Sequence, residues 1–203
     1  KHYILNGEKM WITNAGFADL FTVFAKVDGE KFSAFLIERN FPGFSVGAEE
    51  HKMGIMGSST RTLILEEGRV PAENLLGEIG KGHKIAFNCL NMGRLKLGAG
   101  AVGGSKFCLA HAVRYARERT AFGKPIAEFG LIQQKIAESC VRIFATESMT
   151  YRTAALIDAI LSGVSKDSPD GAERVLKGIE EYAIECSIIK VMGSEFLGFV
   201  CDE

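Results

Sequence analysis

Short apolar runs alternate with turn-forming residues through about the first 75 residues, a pattern that predicts β-strands. Two dipeptides, Asn6-Gly7 and Asp28-Gly29, each lie between two such runs and suit the positive φ angles of a type I′ hairpin turn. Two hairpins so close together indicate an antiparallel sheet, built as a small barrel or a sandwich. The predicted strands are Tyr3–Leu5, Met10–Thr13, Leu20–Lys26, Lys31–Ile37, Phe44–Val46 and Thr60–Leu65.

Apolar positions change to steps of three and four residues after Gly77, which predicts α-helices. We expect three long helices, from Gly82 to Arg117, from Ile126 to Leu161, and from near Ala172 through Val200. The turn-forming residues from Gly163 to Gly171 are the clearest linker. Helices of this length share a core with one another, so an antiparallel bundle is expected.

Glycine is concentrated in the middle of the first predicted helix, at Gly98, Gly100, Gly103 and Gly104. Because glycine costs a helix about 1 kcal/mol relative to alanine, we expect a neighbouring backbone to approach closely there. The sequence therefore predicts the α+β class, with an antiparallel β-barrel or sandwich domain over residues 1–77. An incomplete helical-bundle domain is predicted over residues 78–203.

Composition and charge narrow the possible functions. The chain has 203 residues, of which 47% are hydrophobic and 24% charged, as in a folded globular protein. Its 24 basic and 25 acidic residues give a formal net charge of −1, and no basic stripe is visible. We therefore expect a small, partly apolar ligand and no nucleic acid. The five cysteines are scattered without metal-ligand spacing, so no metal is expected.

The two ends of the chain do not look like natural termini. Lys1 lies inside a strand pattern, and an apolar helical rhythm is still running at Glu203, so we expect an internal piece of a larger protein. The sequence shows neither an apolar stretch of membrane-spanning length nor a leader pattern. A cytoplasmic or mitochondrial-matrix location, without a strong membrane signal, is the expectation.

Four local strings occur in a characteristic order and spacing. They are Leu5–Asn14, Lys52–Gly54 with Ser58–Thr60, Val70–Gly77 and Glu118–Ile126. Together with the change from strands to long helices they resemble the acyl-CoA dehydrogenase family, and the resemblance covers essentially the whole chain. The variant Phe129–Gln133 looks most like the very-long-chain branch.

The resemblance implies that FAD is the cofactor. It implies that Trp11, Ile12 and Thr13 lie against the flavin ring, with the threonine hydroxyl near the ring nitrogen that receives hydride. Without the resemblance, Trp11 would be read as a core residue and Thr13 as an ordinary strand residue.

A second group of cofactor contacts is implied near the end of the first helix. Arg119 would reach the FAD pyrophosphate of a neighbouring subunit, since a guanidinium bonds phosphate oxygens bidentately. Phe122 would pack near the same cofactor, and Phe129 and Gly130 match a further contacting pair. Many relatives have glutamine at the Gly130 position, so only a backbone or steric contact remains there. A solvated arginine at a helix end is the alternative interpretation of Arg119.

The resemblance also implies a substrate site. Asn91 and Arg94, three residues apart on one helical face, would border the acyl-CoA pocket near the thioester. A polar helix face without a ligand is the alternative. Gly93 stands where some relatives carry the catalytic glutamate, so the base is expected beyond Glu203 and no catalytic residue is assigned here.

The parent protein is therefore expected to oxidise fatty acyl-CoA to trans-2-enoyl-CoA, as part of fatty acid β-oxidation. Electrons would pass from FAD to an electron-transfer flavoprotein, in a homo-oligomer that is a dimer or tetramer. Two alternatives stay open: an assembly or scaffold protein of the same fold, and an acyl-CoA oxidase that reduces oxygen. The chain by itself is expected to be inactive, because part of the cofactor surface and the base lie elsewhere.

Overall fold

The computed structural model describes residues 1–165 and 168–203. Lys166 and Asp167, both in the predicted linker, lie outside the described residues. The chain divides into two compact units, residues 1–85 and 86–203. In the described part of the chain, no helix is both long and apolar enough to cross a membrane.

Two antiparallel sheets of three strands each make up the first unit. Its strands are β1 (His2–Thr13), β2 (Leu20–Val27), β3 (Lys31–Glu38), β4 (Phe44–Glu49), β5 (Thr60–Pro71) and β6 (Leu75–Leu76). One sheet has the order β1-β5-β4 and the other the order β2-β3-β6. Side chains of both sheets meet in one core, in which Phe35 and Ile37 of β3 are fully buried. The unit is thus a sandwich, and among the described residues the strands do not close into a barrel.

The predicted hairpin at Asp28-Gly29 is confirmed. Both residues have positive φ angles, 54° and 76°, and they connect β2 to β3, which pair along their whole length. The side chain of Lys31 also reaches the Asp28 carboxylate, at 3.4 Å.

The predicted hairpin at Asn6-Gly7 is wrong, because the two runs beside it form the single strand β1. The long strand β5 pairs with all of β1, and Glu66 and Glu67 together face Asn6 in a β-bulge. The Asn6 amide donates to Glu67 Oε1 at 2.9 Å and accepts from the Glu67 N–H at 2.7 Å. Asn6 therefore stabilises a bulge at a position where the Asn6-Gly7 dipeptide predicted a turn.

Four helices are present among the described residues, where three were predicted. They are α1 (Gly82–Glu118), α2 (Gly130–Ser162), α3 (Gly171–Glu180) and α4 (Ala183–Asp202). The second helix begins four residues later than predicted, because Ile126–Glu128 forms a separate 3₁₀ turn and Phe129 is extended. With the sheets before them, the helices confirm the α+β class.

The third predicted helix is divided at Glu181 and Tyr182. Neither proline nor glycine occupies these positions, and packing contacts lie on both sides of the break. Before the break, Gly178 lies against Ile160 of α2, where an added Cβ would come within 2.7 Å of a methyl group. At the break, Tyr182 packs on the buried cluster that includes Cys186. Contacts with α2 thus hold α3, while Tyr182 and α4 contribute to this core.

The expected close approach of a neighbouring backbone is confirmed at Gly98, but at Gly104 the neighbour is a side chain, and a Cβ on Gly100 or Gly103 would meet no atom within 4 Å. A Cβ on Gly98 would lie 2.2 Å from a methyl carbon of Ile189 in α4, and one on Gly193 would lie 3.2 Å from the Gly98 Cα. A Cβ on Gly104 would contact Leu197 at 3.3 Å. Absent side chains thus let α1 and α4 pack backbone to backbone.

Candidate functional site

The segment Trp11–Thr13 lies at the end of β1, within an irregular part of the strand. The β1–β5 register shifts between Lys9 and Ile12, so that Met10 and Trp11 together face one residue of β5. This bulge gives Trp11 a φ of 54°, which is uncommon for a residue with a side chain. The indole is 67% exposed, so the lone tryptophan is not a core residue.

The other two residues of the segment have different environments. Ile12 packs against the core of the sandwich, while Thr13 is exposed and pairs with Thr60 of β5. Beside them is an open cavity of about 550 Å³, lined by Ile12, Thr13 and Asn14 together with residues of β2. The segment therefore presents an aromatic face and a hydroxyl from a backbone anchored by Ile12.

The turn after Thr13 is held by Ser59. The Asn14 N–H donates to the Ser59 carbonyl at 2.8 Å, and the Gly16 N–H donates to Ser59 Oγ at 3.0 Å. Asn14 has a φ of 67°, and a Cβ on Gly16 would lie 2.3 Å from Ser59 Oγ. The contact therefore requires glycine at position 16.

Ser59 is bound in turn by the carboxylate of Glu49. Glu49 Oε2 accepts from Ser59 Oγ at 2.8 Å and from Arg61 Nε at 2.9 Å, and Glu49 Oε1 accepts from the Thr60 N–H. The bond from the Thr60 amide, followed by that from Ser59, lowers the pKa of Glu49 to about 2. The carboxylate is thus ionised at neutral pH.

Arg119 follows the last residue of α1. Its N–H donates to the Tyr115 carbonyl at 2.8 Å, and its carbonyl accepts from the Ile126 N–H at 2.8 Å. Two backbone bonds therefore fix the position from which the guanidinium extends, while the residue itself is exposed. A fixed backbone with an exposed cation is suited to an anionic ligand.

Phe122 lies at the tip of a short hairpin that the sequence analysis did not predict. The strands β7 (Thr120–Ala121) and β8 (Lys124–Pro125) are joined by Phe122 and Gly123, with φ angles of 53° and 82°. The Phe122 side chain is 97% exposed, and its ring centroid is 6.3 Å from that of Phe129 in an edge-on arrangement. This is an aromatic surface that nothing in the described chain covers.

Phe129 and Gly130 lie at the start of α2. Lys124 Nζ lies 4.5 Å from the centre of the Phe129 ring, a cation–π contact. Gly130 is the first residue of the helix and is exposed, and a Cβ there would meet no atom within 4 Å. The structure thus brings Phe122 and Phe129 together and leaves space beside Gly130.

Asn91 and Arg94 are neighbours on α1, as their spacing predicts. Arg94 Nη1 donates to Asn91 Oδ1 at 3.2 Å and to Ser187 Oγ of α4 at 3.3 Å. Asn91 is 3% exposed, so the pair forms a polar contact inside the helical unit. Ser187 was missed because its partner is 93 residues away in sequence. Beside it, burial raises the pKa of the Cys186 thiol.

Glu49 and Lys52, whose ammonium group donates to the Ile55 carbonyl at 2.9 Å, were also missed. Lys52 belongs to one of the four strings, but no role followed from it, and Glu49 lies outside those strings. The available signal was a glutamate and a lysine three residues apart, before a loop rich in glycine and serine. Side chains at such positions can bind the backbone groups of the loop.

Comparison with known proteins gives the family. The acyl-CoA dehydrogenase middle domain matches residues 1–67, and the acyl-CoA dehydrogenase C-terminal domain matches residues 80–203. The chain belongs to the acyl-CoA dehydrogenase family. A probable acyl-CoA dehydrogenase of Bacillus subtilis (strain 168) is 55% identical over 202 residues, which cover 100% of this chain and 34% of that protein.

Two further relatives agree with this family. The mitochondrial very long-chain specific acyl-CoA dehydrogenase of Rattus norvegicus is 41% identical over 212 residues, which cover 100% of this chain and 30% of that protein. The crystal structure of an acyl-CoA dehydrogenase complexed with FAD from Bacillus anthracis has a TM-score of 0.92 at 54% identity. It covers 99% of this chain, which spans 34% of that one. The chain thus spans about a third of the length of these relatives.

FAD is the cofactor of this acyl-CoA dehydrogenase family, as in the Bacillus anthracis structure. The residues of this chain fit such a group. Trp11 and Phe122 are aromatic side chains at 67% and 97% exposure, which suits contact with a flat aromatic ring system. The exposed guanidinium of Arg119 suits a phosphate.

Proposed function

We propose that the protein containing this chain oxidises a fatty acyl-CoA to the trans-2-enoyl-CoA and passes the electrons to an electron-transfer flavoprotein. The observation that carries the proposal is the segment Trp11–Thr13, whose exposed indole and hydroxyl stand on a backbone anchored by Ile12. Membership of the acyl-CoA dehydrogenase family supports the reaction class.

In this proposal the chain supplies one wall of the flavin site. The Trp11 indole covers a face of the ring and excludes water, and the Thr13 hydroxyl offers a hydrogen bond in either redox state. When bound, FAD supplies the acceptor for the hydride that leaves the substrate β-carbon. Ile12 contributes by keeping the strand attached to the sandwich core.

The second contribution is a clamp on the cofactor. Arg119 binds the pyrophosphate of a neighbouring subunit, and Phe122 and Phe129 pack against the same cofactor beside Gly130. The clamp requires a homo-oligomer, which we propose to be a dimer or tetramer. Residues 1–77 form the middle domain and residues 78–203 part of the C-terminal domain, and the protein acts in the bacterial cytoplasm or the mitochondrial matrix.

The third contribution concerns the substrate. Asn91 and Arg94 border the thioester end of the acyl-CoA pocket, and their mutual bond keeps the guanidinium in a fixed position. Proton removal from the α-carbon needs a positioned carboxylate, and Gly93 supplies none. The base therefore comes from another part of the protein, and the chain by itself is inactive.

Anaerobic reduction tests the proposed reaction. The full-length protein, loaded with FAD and mixed with a saturated long-chain acyl-CoA, is expected to lose its oxidised-flavin absorption and regain it on adding the electron-transfer flavoprotein. The corresponding 2-enoyl-CoA is the control, because it has no hydride to give. A flavin that stays oxidised with saturated acyl-CoAs of every length would contradict the proposal.

The clamp has a separate test with a matched control. Replacing Arg119 with alanine is expected to weaken FAD binding by roughly 1–3 kcal/mol, the value of a charge-assisted hydrogen bond. The control is Arg117→Ala, which removes another exposed arginine from the last turn of α1. Equal retention of FAD by the two variants after dialysis would show that Arg119 is not a cofactor residue.

A further inference from the structure

The loop between β4 and β5 carries three apolar side chains that are largely exposed. Met53, Ile55 and Met56 are 106%, 82% and 77% exposed, so they supply little burial to fix the loop. Polar contacts must hold it instead. Lys52 Nζ donates to the Ile55 carbonyl at 2.9 Å, to Thr60 Oγ1 at 3.0 Å, and to the Ser58 carbonyl.

Glu49 completes this arrangement from the end of β4. Its carboxylate accepts hydrogen bonds from Ser59 Oγ, the Thr60 N–H and Arg61 Nε, so it binds three consecutive residues where the loop enters β5. Lys52 thus binds acceptor groups of the loop, and Glu49 binds donor groups where the loop enters β5. We name these two residues the loop brace.

The loop brace is connected to the segment Trp11–Thr13 through Ser59. Ser59 accepts from the N–H groups of Asn14 and Gly16, directly after that segment, and Thr60 pairs with Thr13. Both Trp11 and Asn14 have positive φ angles, 54° and 67°. Backbone of this kind is strained and persists only where surrounding contacts impose it. Ser59 and Thr60, held by Glu49, provide such contacts.

We propose that Glu49 and Lys52 are positioning residues, which hold the backbone of Trp11–Thr13 in the shape that receives the flavin. This inference rests on the proposed function, in which that segment forms the flavin wall. Neither residue contacts the cofactor, and their effect passes through Ser59 and Thr60. The charge of Glu49 matters, because glutamine at this position would turn one acceptor into an NH₂ group facing the donor Arg61 Nε.

The experiment compares Glu49→Gln, Glu49→Asp and Lys52→Met in the full-length protein with wild type. The matched control is Glu8→Gln, which removes an exposed carboxylate from the same sheet. Two readouts are used: hydrogen exchange by mass spectrometry in FAD-free protein over residues 11–18 and 52–61, and titration with FAD together with the flavin absorption spectrum.

Glu49→Gln is expected to speed exchange in both peptides about tenfold by local opening, and to weaken FAD binding roughly fivefold with a shifted flavin spectrum. Lys52→Met is expected to act in the same direction. Glu49→Asp keeps the charge and should recover part of both effects, while Glu8→Gln should match wild type.

Two results would overturn the inference. One is exchange in Glu49→Gln as slow as in wild type. The other is faster exchange with unchanged FAD affinity and flavin spectrum, which would make the loop brace important for the loop alone. Failure of the wild-type protein to bind FAD is a different result, since it would refute the proposed function from which the inference starts.

Discussion

The contact between α1 and α4 makes a quantitative prediction about alanine at two glycines of one helix. A Cβ on Gly98 would lie 2.2 Å from the Ile189 Cγ2 and 3.2 Å from the Ile189 carbonyl oxygen, whereas a Cβ on Gly100 would meet no atom within 4 Å. Overpacking of this kind costs about 1–3 kcal/mol. Both substitutions gain about 0.5–1 kcal/mol of helix stability.

Gly98→Ala is therefore expected to lower the free energy of unfolding by about 1–2 kcal/mol, and Gly100→Ala to raise it by about 0.5–1 kcal/mol. The two variants should therefore differ by about 1.5–3 kcal/mol in the free energy of unfolding, with the lower apparent Tm for Gly98→Ala. The assay is thermal unfolding of the full-length variants at one scan rate, followed by circular dichroism.

A second substitution tests the cause of the effect. Leucine at position 189 lacks the β-branch methyl that the new Cβ would strike, so Gly98→Ala combined with Ile189→Leu should be more stable than the sum of the single effects. Equal Tm values for Gly98→Ala and Gly100→Ala would refute the reasoning. An additive double variant would show that the Ile189 methyl is not the obstacle.

Three other predictions follow from the β unit. Replacing Asn6 with alanine removes both bonds to Glu67 and should cost about 0.5–1.5 kcal/mol in urea unfolding, with no loss if the bulge stands without them. The pKa of Glu49 is about 2 in the folded state, below its ordinary value near 4.5, so its contribution to stability is present above pH 4.5 and declines as the pH falls towards 2. The free energies of unfolding of wild type and Glu49→Gln, measured against pH, should therefore converge between pH 4.5 and 2. A difference that stays constant over this interval would contradict the prediction. Valine in place of Gly29, which has a φ of 76°, should destabilise the β2–β3 turn by at least about 1 kcal/mol by the same urea assay, and unchanged stability would contradict a type I′ turn.

Local sequence predicts the elements well where the deciding contacts are local. Asp28-Gly29 forms the expected hairpin because its strands follow each other directly. Asn6-Gly7 has the same turn chemistry but lies in a bulge, because β5, which begins at Thr60, pairs with both sides of it. No local pattern shows that distant pairing. Turn propensity therefore agrees with the structure at Asp28-Gly29 and fails at Asn6-Gly7.

Long-range contacts also lie on both sides of the break in the third predicted helix. The apolar rhythm continues through Glu181 and Tyr182, but Gly178 meets Ile160 and Tyr182 packs on the cluster around Cys186. Periodicity predicts which residues of one helix turn inward and carries no information about contacts with distant residues.

The candidate site was predicted in part. The resemblance supplied residue identities such as Trp11 and Phe122, while the bulge and the hairpin that expose them emerged only from the structure. Glu49 acts through Ser59, ten residues away, and through the backbone of Asn14. Such a connection has no spacing rule, so a single sequence does not reveal it.

A crystal structure of the full-length protein with FAD would show whether Trp11–Thr13 forms a wall of the flavin site. We expect the Trp11 indole in van der Waals contact with the flavin ring, about 3.5–4 Å away, and the Thr13 hydroxyl within hydrogen-bonding distance of a ring atom. The backbone there should keep its bulge, with Ser59 still bound to Asn14. A flavin ring bound away from this segment, with Trp11 still exposed to solvent, would show that the segment does not form the flavin wall.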